Sequence, residues 1–205
     1  MNKSSTHFVL SLSLLMFFAK PVTSIAGAPT DQIKATVDNA VLLLKDSRYQ
    51  PAATNERRDQ LKQILFTRFD FAEMARRALG AHWRRRSPTE QQEFVQLFTE
   101  LLERQYAGII ESYSDEKIVY VGERTDGSFA EVNSKIFTAK GQEYSINYKA
   151  QLVGQDWKVY DVIAEDISMV NNFRSQFNRV ISSSSYDELV RRLKEKQADV
   201  IPVKN

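Results

Sequence analysis

The hydrophobic period of this chain changes once, near residue 115, and that change restricts the fold more than any other feature. Before it, apolar residues recur every three to four positions; after it they alternate. Phe129 to Phe137 sets Ala130, Val132, Ser134 and Ile136 against Glu131, Asn133 and Lys135. Glu143 to Leu152 alternates strictly, with Tyr144, Ile146, Tyr148, Ala150 and Leu152 on one side. Lys117 to Gly122 and Trp157 to Ile163 are flanking strands, and Lys140-Gly141 and Gly154-Gln155-Asp156 are the turns. Strands this closely connected form an antiparallel meander with one face covered.

Helices supply the cover. Ile33, Val37, Ala40, Val41 and Leu44 have helical spacing, with Thr30 or Asp31 as the expected cap. Pro51 ends the following loop, and Thr54 opens a segment carrying Leu61, Ile64 and Leu65 on one face. Asp70 to Leu79 is a shorter helix stopped by Gly80. Ser87-Pro88-Thr89-Glu90 reads as a capping box with proline at the first helical position. The helix it opens runs about 25 residues through Phe94, Phe98, Leu101 and Tyr113. After the strands, Ser168 caps a segment with Val170, Phe173, Phe177 and Ile181. The serines Ser182 to Ser185 interrupt it before Leu189, Val190 and Leu193, and the tail from Gln197 is expected to fray. Helices, sheet, helices without a linker predict one α+β domain, a curved antiparallel sheet under helices.

Lys3 followed by the uncharged run Phe8 to Phe18 and an A-x-A-like site at Ala26 reads as a secretory signal peptide over residues 1–26. Eleven helical residues span about 16 Å, short of a hydrocarbon core of about 30 Å. Residues 27–205 are then an exported, periplasmic domain of about 179 residues, large enough to bury a core without disulfides. Loss of Lys3 and Lys20 leaves 26 cations and 26 anions, too balanced for a nucleic-acid binder.

The chain has no cysteine, which removes thiol catalysis and zinc–thiolate sites. His82 would be the only histidine after processing, so no histidine metal cluster forms and no catalytic triad has its serine elbow. Neither a metal nor a cofactor is expected, and no catalytic residue is assigned. Asp161, Glu165 and Asp166 follow at the end of the last strand; a buried, isolated Asp161 would serve as a general base. The alternative is a surface pair at Asp161 and a turn at Glu165-Asp166. Arg84, Arg85 and Arg86 lie between a helix stop and a helix cap. They read as an exposed loop that is merely solvated, or contacts lipid phosphates, or docks on an acidic partner. Twelve Phe, eight Tyr and two Trp are many for this length; core packing explains most of them, and their recurrence on faces that aliphatics already close is the one positive sign of an apolar ligand.

Three segments resemble the MlaC or toluene-tolerance family of periplasmic lipid-binding proteins. They are Phe69-Asp70-Phe71 through Ala78-Leu79-Gly80 and Trp83; Ser87-Pro88-Thr89-Glu90-Gln91 with Phe94, Phe98, Leu101 and Tyr106; and Trp157 to Val162 with Ser168 and Asn172 to Phe177. Together they span about residues 30 to 195. The resemblance implies an NTF2-like fold with additional helices and a phospholipid ligand whose acyl chains lie between sheet and helices. It also implies shuttling between an outer-membrane lipoprotein complex and an inner-membrane ABC transporter with its membrane-anchored substrate-binding subunit. In this setting Phe71, Met74, Phe98, Leu101, Tyr148, Val162 and Met169 are the expected acyl contacts, and Arg84, Arg85 and Arg86 the partner-docking loop. The protein is then a carrier and not an enzyme. The alternative is an NTF2-fold enzyme, or a binder of another hydrophobic or isoprenoid ligand, using Asp161 in the pocket. One departure stands out: Asp166 occupies a position where the family usually has glycine.

Overall fold

A computed structural model describes residues 28–46, 55–113 and 115–195. The expected signal peptide at 1–26, Pro51, Thr54 and the tail from Gln197 lie outside the described residues. Helices α1 (Pro29–Lys45), α2 (Asn55–Arg68), α3 (Phe71–Leu79) and α4 (Pro88–Glu111) come first. Strands β1 (Lys117–Asp126), β2 (Phe129–Phe137), β3 (Glu143–Val153), β4 (Asp156–Ala164) and β5 (Ile167–Ser168) follow, then α5 (Met169–Ser183) and α6 (Tyr186–Lys194). The strands form one antiparallel sheet in chain order. The α+β single-domain architecture is therefore the one expected.

Local chemistry accounts for most helix starts. Ser87 accepts from the Glu90 amide at 3.3 Å while Glu90 accepts from the Ser87 amide at 2.7 Å, completing the capping box. Asp70, Ser168 and Ser185 cap α3, α5 and α6 in the same way. Each such cap is worth about 1 kcal/mol. Among the described helix caps the exception is α1, which no side chain caps. Thr30 instead donates from its amide and hydroxyl to Glu123 of β1, at 2.8 and 2.6 Å. That long-range bond ties the start of α1 to the sheet.

Two registers slip. In the β1/β2 ladder Val121 is the extra residue between Tyr120 and Gly122. In β3/β4, Lys149 opposes Asp161 and Ala150 opposes Val159, leaving Tyr160 extra. A bulge of this kind reverses which face the following residues occupy. At the β4/β5 hairpin Glu165 and Asp166 both have positive φ, 47° and 63°. Two consecutive residues of that sign make a type I′ turn. Asp166 thus takes a left-handed conformation that glycine would occupy without strain, and the Glu165 amide donates to the Ser145 carbonyl at 3.1 Å.

Three apolar clusters hold the layers. Helices α3 to α6 share the largest, centred on Phe94, Phe98, Phe173 and Phe177. Ile33 of α1 packs on Ala130, Val132, Tyr148, Ala150, Trp157 and Val159 of the sheet. A third joins Ala40 and Leu44 of α1 to Leu61 of α2, with Ile110 of α4 and Tyr113, just beyond that helix, against it. Phe69 bridges the first two, and the Asp70 amide donates to the Val159 carbonyl at 2.8 Å on the open edge of β4. Among the described residues no helix is long and apolar enough to cross a membrane.

Candidate functional site

Directly opposed residues of antiparallel strands share a face, so the register arranges the inner face of the sheet in rows. Ala130, Ala150 and Val159 form one row, and Val132, Tyr148 and Val162 the next. Tyr120, Ser134, Ile146 and Ala164 follow, and Ile118, Ile136 and Tyr144 come last. Burial falls along this order. Val132, Ala150 and Val159 are fully buried beneath α1, whereas Tyr120, Ile146, Ile118 and Ile136 are half-buried. Tyr144 is 40% exposed, and Ile167, opposite Ala164, is 63% exposed. The two outer rows carry no charged side chain. The sheet thus ends in an apolar trough that α1 covers at one side only.

Hydroxyls mark the floor of this trough. Burial pushes Tyr148 up to about 12, although a hydrogen bond with Ser134 works in the opposite direction. Ser134 donates in turn to the Ile146 carbonyl at 2.6 Å. The Tyr120 hydroxyl is buried with no hydrogen-bond partner among the described residues, and burial, followed by Tyr148 and Asp38, raises its pKa. Asp38 of α1 also adds to the upward shift at Tyr113, which burial dominates. These hydroxyls stay protonated at neutral pH. The surface offers apolar area and hydroxyl groups that can donate or accept hydrogen bonds.

The seven expected acyl contacts separate into two groups. Tyr148 and Val162 are direct neighbours on the inner face, where the Tyr160 bulge brings Val162 round. Phe71, Met74, Phe98, Leu101 and Met169 belong to the helical cluster. Of these, Phe98 is wholly buried and packs edge-on to Phe173 at 5.3 Å and Phe177 at 6.0 Å, so it fastens helices together. Tyr120, Ile136 and Ile146 complete the trough. The alternation of β3 already marks Tyr144 and Ile146, whereas no local pattern marks Tyr120.

Asp161 is neither a surface pair nor an isolated base. It is 5% exposed, and its carboxylate accepts from the Ser168 hydroxyl at 2.6 Å and the Val170 amide at 3.0 Å. The bulge turns it to the outer face, opposite Lys149 and away from the trough. Both oxygens secure the start of α5. Replacing Asp161 by Ala should cost about 2–4 kcal/mol, since charge-assisted bonds are lost and a buried amide loses its acceptor. Urea unfolding measures this directly. A cost below about 0.5 kcal/mol, combined with loss of ligand binding, would return Asp161 to a pocket role.

The expected arginine loop is instead a 3₁₀ turn over Gly80–Arg85, and its three arginines differ. Arg86 is half-buried, 3.1 Å from Glu90 and 4.3 Å above the Tyr186 ring, so it braces α4 against α6 rather than standing free. Arg85 is exposed. Arg84 lines a polar cleft of about 400 Å³ with Arg76, Arg77, Lys149 and Arg174. A smaller cleft of about 270 Å³ holds His82, whose Nε2 lies 3.0 Å from Asn178 Oδ1. Neither cleft contains any of the seven expected acyl contacts. No group of three or more metal-ligating side chains occurs among the described residues.

Known proteins share this arrangement. The chain is 25% identical over 130 residues to the intermembrane phospholipid transport system binding protein MlaC of Haemophilus influenzae, a match spanning 61% of each protein. It is 26% identical over 178 residues to the toluene tolerance protein ttg2D of Pseudomonas putida, covering 85% of this chain and 83% of that one. The crystal structure of a phospholipid-binding protein from Ralstonia solanacearum, in complex with a phospholipid, superposes with a TM-score of 0.77 at 25% identity. That superposition covers 85% of this chain and 99% of the other. The model of the MlaC protein family matches residues 34–195, including all the trough residues, most of α1 and helices α2 to α6, and the chain belongs to that family.

Proposed function

We propose that this protein is a phospholipid carrier of an intermembrane transport system, holding acyl chains against the outer rows of the inner sheet face. The observation that carries this reading is the uncharged trough around Ile118, Ile136, Tyr144 and Ile146, apolar yet half-covered. Soluble domains seldom leave such a face open without something to place on it. The names of the Haemophilus protein and the phospholipid bound by the Ralstonia protein point the same way.

Burying a methylene is worth about 0.8 kcal/mol. Two chains of roughly sixteen carbons therefore gain more than 20 kcal/mol against water, beyond the practical affinity ceiling of about 18–21 kcal/mol. Chains drawn from a bilayer merely exchange one hydrocarbon surroundings for another, so net transfer approaches zero. Such a task calls for a sheltered apolar surface and partners that load and unload it; it uses no catalytic group. On this reading the protein works as an exported periplasmic shuttle and not as an enzyme. Its partners are an inner-membrane ABC transporter with a membrane-anchored binding subunit, and an outer-membrane lipoprotein complex.

Native mass spectrometry of the protein purified from its own host, followed by organic extraction, tests the carrier reading. A diacyl phospholipid at near-stoichiometric occupancy is expected. Well-folded protein without lipid would refute it.

A further inference from the structure

We propose that the cleft between the end of α3, the 3₁₀ turn and the start of α5 is a docking site for an acidic segment of a partner protein. The proposal takes from the carrier reading only that the protein must meet protein partners. Five cations line the cleft, Arg76, Arg77, Arg84, Lys149 and Arg174, against a single carboxylate, Asp161. Glu73 reaches both Arg76 and Arg77, at 2.5 and 2.7 Å, and so offsets one further charge. The Asp161 oxygens are engaged by Ser168 and Val170. Arg84, Lys149 and Arg174 have no ion-pair partner among the described residues.

Like charges gathered in one concavity repel, and the fold holds them there by specific means. Gly80 has φ of +60°, and a Cβ at that position would lie 2.8 Å from Arg174 Nε. Glycine therefore serves both the backbone turn and the close approach of the guanidinium. The Arg77 guanidinium lies 3.9 Å above the Tyr160 ring, stacked on a residue that the β4 bulge turns out of register. Beyond Arg174 the smaller cleft continues with His82, Ser175 and Asn178, sharing Gly80, Ala81 and Arg174 with the larger. The result is a groove with cations at one end and the hydrogen-bonding side chains of His82, Ser175 and Asn178 at the other. Guanidinium groups pair bidentately with carboxylates, and such patches speed and orient encounter.

A protein source is favoured over a lipid headgroup because of where the groove lies. Lys149 opposes Asp161 on the outer face, whereas Tyr148 opposes Val162 on the inner one. The sheet stands between the groove and the trough, so a headgroup whose chains fill the trough emerges on the other side.

Binding of a fluorescently labelled octaglutamate peptide, read by anisotropy at low ionic strength, tests the assignment. The double variant Arg84→Ser/Arg174→Ser is expected to bind about tenfold more weakly than the wild type. Arg85→Ser/Arg179→Ser removes the same charge from exposed positions outside the groove and should change binding less than about twofold. Equal losses in both variants would overturn the site in favour of a general positive field, as would a wild type that does not bind. Phosphatidylglycerol vesicles supply the lipid alternative. If vesicles but not peptide bind through Arg84 and Arg174, the groove reads membrane and the proposal is wrong. The peptide result is expected alike for lipid-loaded and delipidated protein, so failure of the carrier reading leaves it standing.

Discussion

Protein carrying Asp in place of Ile146 is expected to purify folded but with its phospholipid reduced at least about tenfold. Ile146 lies in the middle of the trough, beside Ser134 on β2 and Ala164 on β4, and is half-buried. Without ligand, a carboxylate there can turn toward the open rows and keep water, so the fold loses about 1–2 kcal/mol of apolar burial. That is small against a typical stability of about 5–15 kcal/mol. With acyl chains in place the same carboxylate must be stripped of water with no cation in its rows. An unpaired charge held in hydrocarbon costs far more than the methylenes it displaces. Organic extraction with mass spectrometry gives the lipid-to-protein ratio, and circular dichroism confirms the fold. Asn147→Asp, one residue along on the opposite face, is the control and should keep its lipid. Should folded Ile146→Asp protein retain full occupancy, the trough is not where the chains lie.

Ile146 is a better probe than Leu101, which the sequence alone nominates. Leu101 is only 8% exposed and belongs to the helical cluster with Phe98 and Phe173, where a charge would disrupt the fold whether or not lipid touches it.

The second large effect is on stability. Phe98→Ala is expected to destabilise the protein by about 3–5 kcal/mol, the cost of lost transfer energy plus a partly collapsed cavity. Phe98 has no exposed surface, and three rings surround it: Phe94 at 6.2 Å, Phe173 at 5.3 Å and Phe177 at 6.0 Å. The two contacts to α5 are edge-to-face, at 81° and 79°, an arrangement that rewards geometry beyond area. No neighbour can refill a space this completely enclosed. For a domain of this size the loss corresponds to a fall in Tm of about 6–20 °C, measured by scanning calorimetry on delipidated protein so that ligand does not mask it. Phe98→Leu, which keeps most of the volume, should lose less than half as much. A fall below about 2 °C for the alanine variant would mean that α4 and α5 are not held together here.

Segments whose partners lie within a few residues were legible in the sequence. The Ser87 capping box, the Ser168 cap and the Gly80 stop are all closed by atoms of the same or the next turn. The strand limits of β2 follow the alternation to the residue. A family resemblance in three short segments added the ligand class and, together with the alternating sheet face, seven residues, of which Tyr148 and Val162 lie on the inner face of the sheet. Other features depend on atoms far along the chain. Thr30 leaves its capping role for Glu123, 93 residues away. Arg86 is drawn from solvent by Glu90 and by the Tyr186 ring. Strict alternation would put Asp161 on the face of Trp157 and Val159; one extra residue at Tyr160 sends it outward and brings Val162 in. The groove takes Arg84 from a 3₁₀ turn, Lys149 from a strand and Arg174 from a helix, which share no local pattern. Caps and periods arise from short-range sterics and hydrogen bonds that the sequence encodes locally. Register and convergence minimise the burial energy of the whole chain, and only the packed structure decides them.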